Sequence, residues 1–349
     1  MFSQKYIPAL LLFCLLWGSC VDEITFDLDA LPSRIAVEGF IGDSLNTYTI
    51  SLSSSAVLGV GTDNIQPPIS NAAVKVIDDQ GNEYAFPEGE PGQYSALMQG
   101  VAGRAYHVEI VLADGKKILS TPTVLPERSP MGPVNFRVEV EEFINSFNNI
   151  TSSEQLYVDT DIPLPTNGDR PYLRWRAFGE YEFRENYPGA ITTKRCYTPV
   201  NLDFNVINAF ETLDVAGDSV PDHFLLKTLY DYRFAYVFCL HLTQFTISRE
   251  EFLYWQNVQD VINRSGSLFD PPPGTLTGNL YNPDDPDELI LGYFSVAATE
   301  YKRFFTGSDF LDTFIGPRCT FPWRTIPNEC FDCRAITNTS TERPPYWIP

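Results

Sequence analysis

The sequence predicts a mainly β protein, with an N-terminal immunoglobulin-like or transthyretin-like β-sandwich followed by a larger β-rich domain carrying one or a few helices. Short runs of alternating apolar and polar residues recur along the chain, as half-buried antiparallel strands require. Turns rich in glycine and aspartate separate them, such as Asp78-Asp79-Gln80-Gly81 and Ala113-Asp114-Gly115. At 349 residues the chain is longer than a single core usually serves, which makes two domains the natural division.

The first 19 residues read as a secretory signal peptide. Lys5 precedes an apolar run from Leu10 to Trp17 that is too short to span a bilayer. Gly18-Ser19 directly before Cys20 forms a bacterial lipobox, with Trp17 where leucine is usual. Cys20 is then the lipidated N-terminus of the mature chain, and residues 20–33 are its tether. Several acyl chains on one cysteine hold a membrane where one chain holds only marginally. The acidic pair Asp22 and Glu23 resembles the signal that directs Bacteroidota-type lipoproteins to the outer face of the outer membrane.

The N-terminal sandwich is expected over residues 34–126, with strands at 72–77, 82–86, 93–97, 105–112 and 117–120. Within 105–112, Tyr106, Val108, Ile110 and Leu112 share one face, leaving His107 on the solvent side. Near its start stands Phe40-Ile41-Gly42-Asp43-Ser44-Leu45, which spells the nucleophile motif of GDSL-type esterases. A serine nucleophile needs a base and an oxyanion site. None of the three histidines stands in an Asp-x-x-His block, and the Gly-x-Asn-Asp oxyanion block is absent. Alternation on both sides makes Gly42-Asp43-Ser44 the connection of a β-hairpin.

Prolines between Thr121 and Pro133 mark the boundary. The C-terminal β-rich domain, 133–349, restarts the alternation at Val134, Phe136, Val138 and Val140. Further strands are predicted at 156–162, 172–183, 233–247 and 289–296. Ser248-Arg-Glu-Glu251 reads as a capping box in which Glu251 reaches back to the cap. The helix it opens turns Phe252, Trp255, Val258 and Ile262 to one side and ends at Gly266.

Export favours disulfides over free thiols. Beyond Cys14 and Cys20 there are Cys196, Cys239, Cys319, Cys330 and Cys333. We expect Cys319 to pair with one of Cys330 and Cys333, and Cys196 with the other, closing the tail onto the domain. Cys239, in an apolar strand, is expected as a buried free thiol. Cys330-Phe-Asp-Cys333 has a redox-like spacing without the βαβ setting of a thioredoxin, and zinc would need a fourth ligand beside Cys319, Cys330 and Cys333. Asp284-Asp285-Pro-Asp287-Glu288 lacks the oxygen spacing of a calcium loop and reads as an acidic surface turn. No metal, cofactor or catalytic residue is therefore assigned. Tyr230, Tyr232, Tyr254 and Trp255 are the aromatic residues singled out as a contact surface. A net charge of −21, from 24 basic and 45 acidic side chains, makes nucleic acid an unsuitable partner.

Several segments fall in a familiar order: Cys20-Val-Asp-Glu, Ile35-Ala-Val-Glu-Gly-Phe-Ile, Ala73-Val-Lys-Val-Ile-Asp-Asp-Gln-Gly81, Pro91-Gly-Gln-Tyr94, Gly103-Arg-Ala-Tyr106, Ser248-Arg-Glu-Glu-Phe-Leu-Tyr-Trp255, Leu268-Phe-Asp-Pro-Pro-Pro273, Thr277-Gly-Asn-Leu280 and Leu291-Gly-Tyr-Phe294. Together they resemble the Bacteroidota lipoprotein family known as domain of unknown function 4249. Cys330-Phe-Asp-Cys333 and Pro345-Tyr-Trp347 are similar to that family's tail. The resemblance implies a lipid-anchored outer-membrane protein, facing the cell exterior, often encoded beside a TonB-dependent transporter, with no catalytic residue to carry over. The expected role is non-enzymatic: an accessory or substrate-capture partner of such a transporter. The alternatives are a structural or assembly factor of the cell envelope and, last, the esterase.

Overall fold

The computed structural model describes residues 33–55, 66–166, 169–189, 191, 193–202, 207–263, 276–306, 315–320 and 326–347. The signal peptide, Cys20, Asp22, Glu23, Gly266 and the Leu268–Pro273 stretch lie outside them. The protein is mainly β, built from several stacked sheets. In the N-terminal segment, β1 (Ile35–Gly42) and β2 (Asn46–Ser54) are followed by β3 (Ala73–Asp78), β4 (Glu83–Phe86), β5 (Gln93–Met98), β6 (Ala105–Val111), β7 (Lys117–Ser120) and β8 (Thr123–Val124). After the prolines come β9 (Val134–Ile144), β10 (Ile150–Pro163), β11 (Tyr172–Arg184), β12 (Arg195–Val200), β13 (Asn208–Glu211), β14 (Ser219–Leu229) and β15 (Phe238–Ile247). The helix α1 (Arg249–Ile262), β16 (Leu280–Tyr281) and β17 (Leu291–Thr306) complete the frame.

One long sheet runs β12-β11-β15-β17-β1-β2-β5, with β13 also on β11. Its inner face packs on two smaller sheets, β16-β7-β6-β3-β4 at one end and β14-β10-β9 at the other. At the first end Val37, Ile50, Tyr94, Val76, Val108, Ile118 and Phe294 form a buried core; at the second, Leu156, Val158, Trp175, Phe183, Leu240 and Leu242 form another. Each such side chain withdrawn from water contributes roughly 1.5–3 kcal/mol before entropy is counted.

The long sheet crosses the boundary expected between residues 126 and 133. β17 pairs in parallel with β1, Ala36 opposite Leu291 through Gly42 opposite Ala297, and then antiparallel with β15, Phe238 opposite Thr306. Leu280, Ile290, Phe294 and Val296 of the C-terminal half thus sit in the N-terminal core. Alternation reveals which face of a strand is buried but not which distant strand lies beside it, so this exchange was not readable locally. At Gly292 the chain adopts φ +95°, and a Cβ there would stand 2.0 Å from the Val37 carbonyl oxygen. Only glycine allows β17 to approach β1 this closely.

The proline-rich segment is pinned rather than free. Ser129 N donates to Thr246 Oγ1 at 2.9 Å, and its carbonyl accepts from Gln244 Nε2 at 2.9 Å. Met131 N donates to Glu300 Oε2, and Lys302 Nζ to the Met131 carbonyl. Both Glu300 and Lys302 belong to β17, so the linker is held by the strand that joins the two halves.

The helix spans Arg249–Ile262, capped by Ser248, whose Oγ accepts from Glu251 N at 3.1 Å. The strand expected from residue 233 starts only at Phe238, because Asp231 caps a turn of 3-10 helix at Tyr232–Phe234 by accepting from Arg233 N. β12, β13 and β14 carry little alternation and were missed, while the 289–296 strand extends to Thr306. Two disulfides, Cys196–Cys333 and Cys319–Cys330, close the tail onto β12 and the second core.

Gly42-Asp43-Ser44 lies in the β1–β2 turn. Asp43 Oδ1 accepts from Thr299 N of β17 at 3.0 Å, and its Oδ2 meets Arg128 of the linker at 2.8 Å. Ser44 Oγ only accepts from Arg128 Nη2 at 3.2 Å. The motif's aspartate is therefore the residue where turn, linker and joining strand meet. Asp43→Ala should lower unfolding stability by about 2 kcal/mol, as expected for a lost charged hydrogen bond that leaves a backbone donor unpaired; Ser44→Ala should change it by less than about 0.5 kcal/mol. Urea denaturation of both variants measures the contrast.

Candidate functional site

Strand register decides what the outer face of the long sheet presents. Cross-strand partners share a face, so Arg174 joins its partner Phe245, Arg176 joins Thr243, and Phe178 joins His241. Further along, Glu38 lies opposite both Tyr293 and Ser51, and Phe40 opposite Ser295. Two elements cover this face: α1 over its middle and the C-terminal tail over one end. Between α1 and β1–β2 a groove of about 840 Å³ remains, within the range of small-molecule sites.

One wall of the groove is aromatic and the other polar. Phe40, Phe245, Tyr254, Trp255 and Tyr293 supply the first; Thr49, Ser51, Ser53, Gln66 and Gln93 supply the second. Tyr254 packs on Tyr293 with ring centres 4.7 Å apart. Arg174 and Arg176 close one end, with the Arg174 guanidinium 3.8 Å from the Trp255 ring centre and 5.4 Å from that of Phe245. Arg174 forms no ion pair or hydrogen bond among the described residues. Burial pulls its pKa down to about 10, even with Glu251 and Glu38 opposing the shift. The Tyr293 hydroxyl is buried, with Ser248 as its polar neighbour.

Glu251 shows how the helix is bound to the sheet. Only half of the expected capping box forms: Ser248 caps the helix, but the Glu251 side chain does not return to it. Instead the fully buried carboxyl group turns into the sheet. Ser295 Oγ lies 2.8 and 2.7 Å from its two oxygens, and Trp255 Nε1 donates to Oε1 at 3.1 Å. Burial holds its pKa above the ordinary carboxylate value, although both donors and Arg174 oppose the rise. Glu251 thereby orients Trp255, and Trp255 supports Arg174.

A second polar cluster lies under the tail. His241, 2 % exposed, stacks on Phe178 at 4.1 Å and shares a hydrogen bond with the Tyr301 hydroxyl. Its Nε2 is 3.7 Å from Glu180, which accepts from the Tyr346 hydroxyl. Cys239 is buried beside Tyr197 and Trp347, and burial pushes its thiol up to about 12, which leaves it without thiolate character at neutral pH. Of the other histidines, His223 sits between Trp175 and Phe210 and is drawn down to about 4 by burial, hence neutral.

The four aromatic residues expected as one contact surface do not form one. Tyr254 and Trp255 line the groove. Tyr230 is 5 % exposed and belongs to the second core, and Tyr232 packs edge-on against Tyr181 and Phe183 there. They are separated because the turn at Tyr232–Phe234 folds back onto the inner face, whereas α1 sits on the outer one. In the acidic turn, Glu288 is bound to Lys116 at 2.6 Å and to Asn282. Arg174, Arg176, Glu251 and Tyr293 were missed as site residues. The one signal for the arginines was their spacing, since two cations two residues apart in Tyr172–Arg184 share a strand face.

Glu251→Gln tests the role of the buried acid. A carboxyl group whose folded pKa is raised contributes stability at low pH, and that contribution is lost as pH rises from its ordinary value of 4.5 through the raised one. The glutamine does not titrate and still accepts from Trp255. Its stability relative to wild type should therefore increase between about pH 4 and pH 7.5, read by urea denaturation at both.

Compared with known families, residues 21–303 match the model described as Domain of unknown function (DUF4249). The matched residues include both walls of the groove and end within β17, ahead of the disulfide-closed tail. No curated protein matches the chain.

Proposed function

Since the chain belongs to the DUF4249 family, we propose that it is a non-enzymatic lipoprotein of the Bacteroidota type. It is anchored to the outer membrane by acyl chains on Cys20, faces the exterior, and captures a ligand for a TonB-dependent transporter. The observation that carries this reading is the groove, an open, pre-formed cavity with an arginine on an aromatic wall that has no ion pair among the described residues. Such an arrangement suits binding. It does not suit bond-breaking, because the acid beside it, Glu251, is sealed behind Ser295 and Trp255 and no acid–base couple faces the cavity among the described residues. Capture also fits the tether, since the chain from Cys20 to Ile35 spans at most about 50 Å when extended, enough for the folded part to reach a neighbouring protein in the same membrane.

Purification from native membranes in mild detergent, followed by mass spectrometry, tests both halves of the proposal. The expected result is an acylated Cys20 at the mature N-terminus and a TonB-dependent transporter recovered with the protein. An unmodified thiol on a freely diffusing mature chain would overturn the anchor. Recovery of the lipoprotein alone under every growth condition would overturn the partnership.

A further inference from the structure

Resting on that capture reading, we propose that the groove selects an anionic ligand, with a carboxylate or phosphate group held by Arg174 and Arg176 and a planar body laid against Trp255, Tyr254 and Tyr293. The argument begins with charge. Acidic side chains outnumber basic ones by 45 to 24, so carboxylate partners are plentiful, although among the described residues Arg34, Arg170, Arg249, Arg303 and Arg343 form no ion pair with one. Arg104, Arg128, Arg137, Arg184, Arg233, Arg318 and Arg334 each have one. The two arginines in the groove have none among the described residues, although one of them is stacked on an indole and largely withdrawn from water. Leaving a desolvated guanidinium unpaired is costly, and an arriving anion relieves that cost.

The remaining polar groups point the same way. Gln66 and Gln93 accept from Ser53 and Ser51 through their carbonyl oxygens, which leaves their NH2 ends as donors. Against these stands one lining carboxylate, Glu38. A cationic ligand would meet two arginines, and a neutral apolar one would leave every donor unsatisfied. A planar anion instead satisfies the guanidinium fork in bidentate fashion and stacks on the rings beside it.

Titration calorimetry of the full-length protein in mild detergent tests this, using indole-3-carboxylate, 3-indoxyl phosphate and the neutral indole-3-carboxamide. At least one anion should bind about tenfold or more tightly than the amide, as a charge-assisted hydrogen bond is worth; the better anion identifies the head group. Arg174→Gln and Arg176→Gln should each weaken anion binding about tenfold and leave the amide unchanged, while Arg303→Gln, on the same sheet face outside the groove, should alter neither. Arg176 is exposed, so its variant keeps the test alive if Arg174→Gln fails to fold. Equal affinity for amide and anions, anion binding indifferent to Arg176, or no binding of either anion would overturn the proposal. Capture is read separately: an unselective groove on a protein that still co-purifies with a transporter removes only anion selection, and selection without a transporter removes only the partnership.

Discussion

The structure depends on one pairing, the parallel alignment of β17 with β1. Parallel neighbours cannot be joined by a tight turn, and here the connection takes in most of the chain, with Asp43 and Thr299 bonded across 256 residues. β17 is central in the long sheet, and its two halves serve different partners. Leu291 to Ala297 completes the N-terminal sandwich, while Ala298 to Thr306 pairs with β15 in the second half. Neither sandwich has its full sheet without this strand. Contacts of such sequence separation form late and slowly, because loop-closure entropy comes before the stabilising contacts. The concentration of anchors around β17 follows the same logic: Gly292 allows the close approach, Asp43 caps the backbone at Thr299, and Glu300 with Lys302 grips the linker.

What could be read from the sequence is what the sequence determines locally. The β1–β2 and β3–β4 hairpins, the alternation in β6, the helix start at Ser248 and the preference for disulfides all rest on contacts within a few residues or on a known redox preference. The prolines between Thr121 and Pro133 leave only the two-residue β8 in that segment, but a break in local pattern does not mark a break in the sheet. Period-two patterning places Phe294 on a buried face without saying whose core it enters. Glu251 misled in another way. The spacing that makes a capping box also sets the residue on the first turn facing the sheet, and the donors Ser295 and Trp255 outcompete a solvent-exposed cap once the helix docks.

The candidate site was hidden because it is a property of what covers the sheet. From Tyr172 to Arg184 the alternation assigns Leu173, Trp175 and Ala177 inward and the arginines outward, where the ordinary expectation is a solvated cation. Among the described residues, α1 covers only part of the outer face and the tail covers the His241 end, which leaves the groove between them and β1–β2. The arginines beside Trp255 are therefore neither in bulk water nor in a core. Sequence offers no direct measure of such partial cover.

The sign of the groove against that of the whole chain also constrains how a ligand arrives. A protein of net charge −21 does not draw an anion from afar, and at physiological salt its field is screened beyond about 8 Å. Selection therefore takes place inside the cavity, where the wall of rings lowers the local dielectric and strengthens the pull of Arg174 and Arg176. A ligand held by contact and not by long-range steering should owe its affinity to slow departure. Slow release suits a capture protein only if a second surface intervenes to free the ligand. The groove lies where that intervention is structurally cheap: Tyr254 and Trp255 of its aromatic wall are carried by a single helix, and Glu251, the group binding that helix to the sheet, carries the raised pKa of a buried acid. Displacing α1 would expose Glu251 to water and separate Trp255 from Arg174 together, so that loss of the helix's share of the aromatic wall and loss of the cation's support become one event.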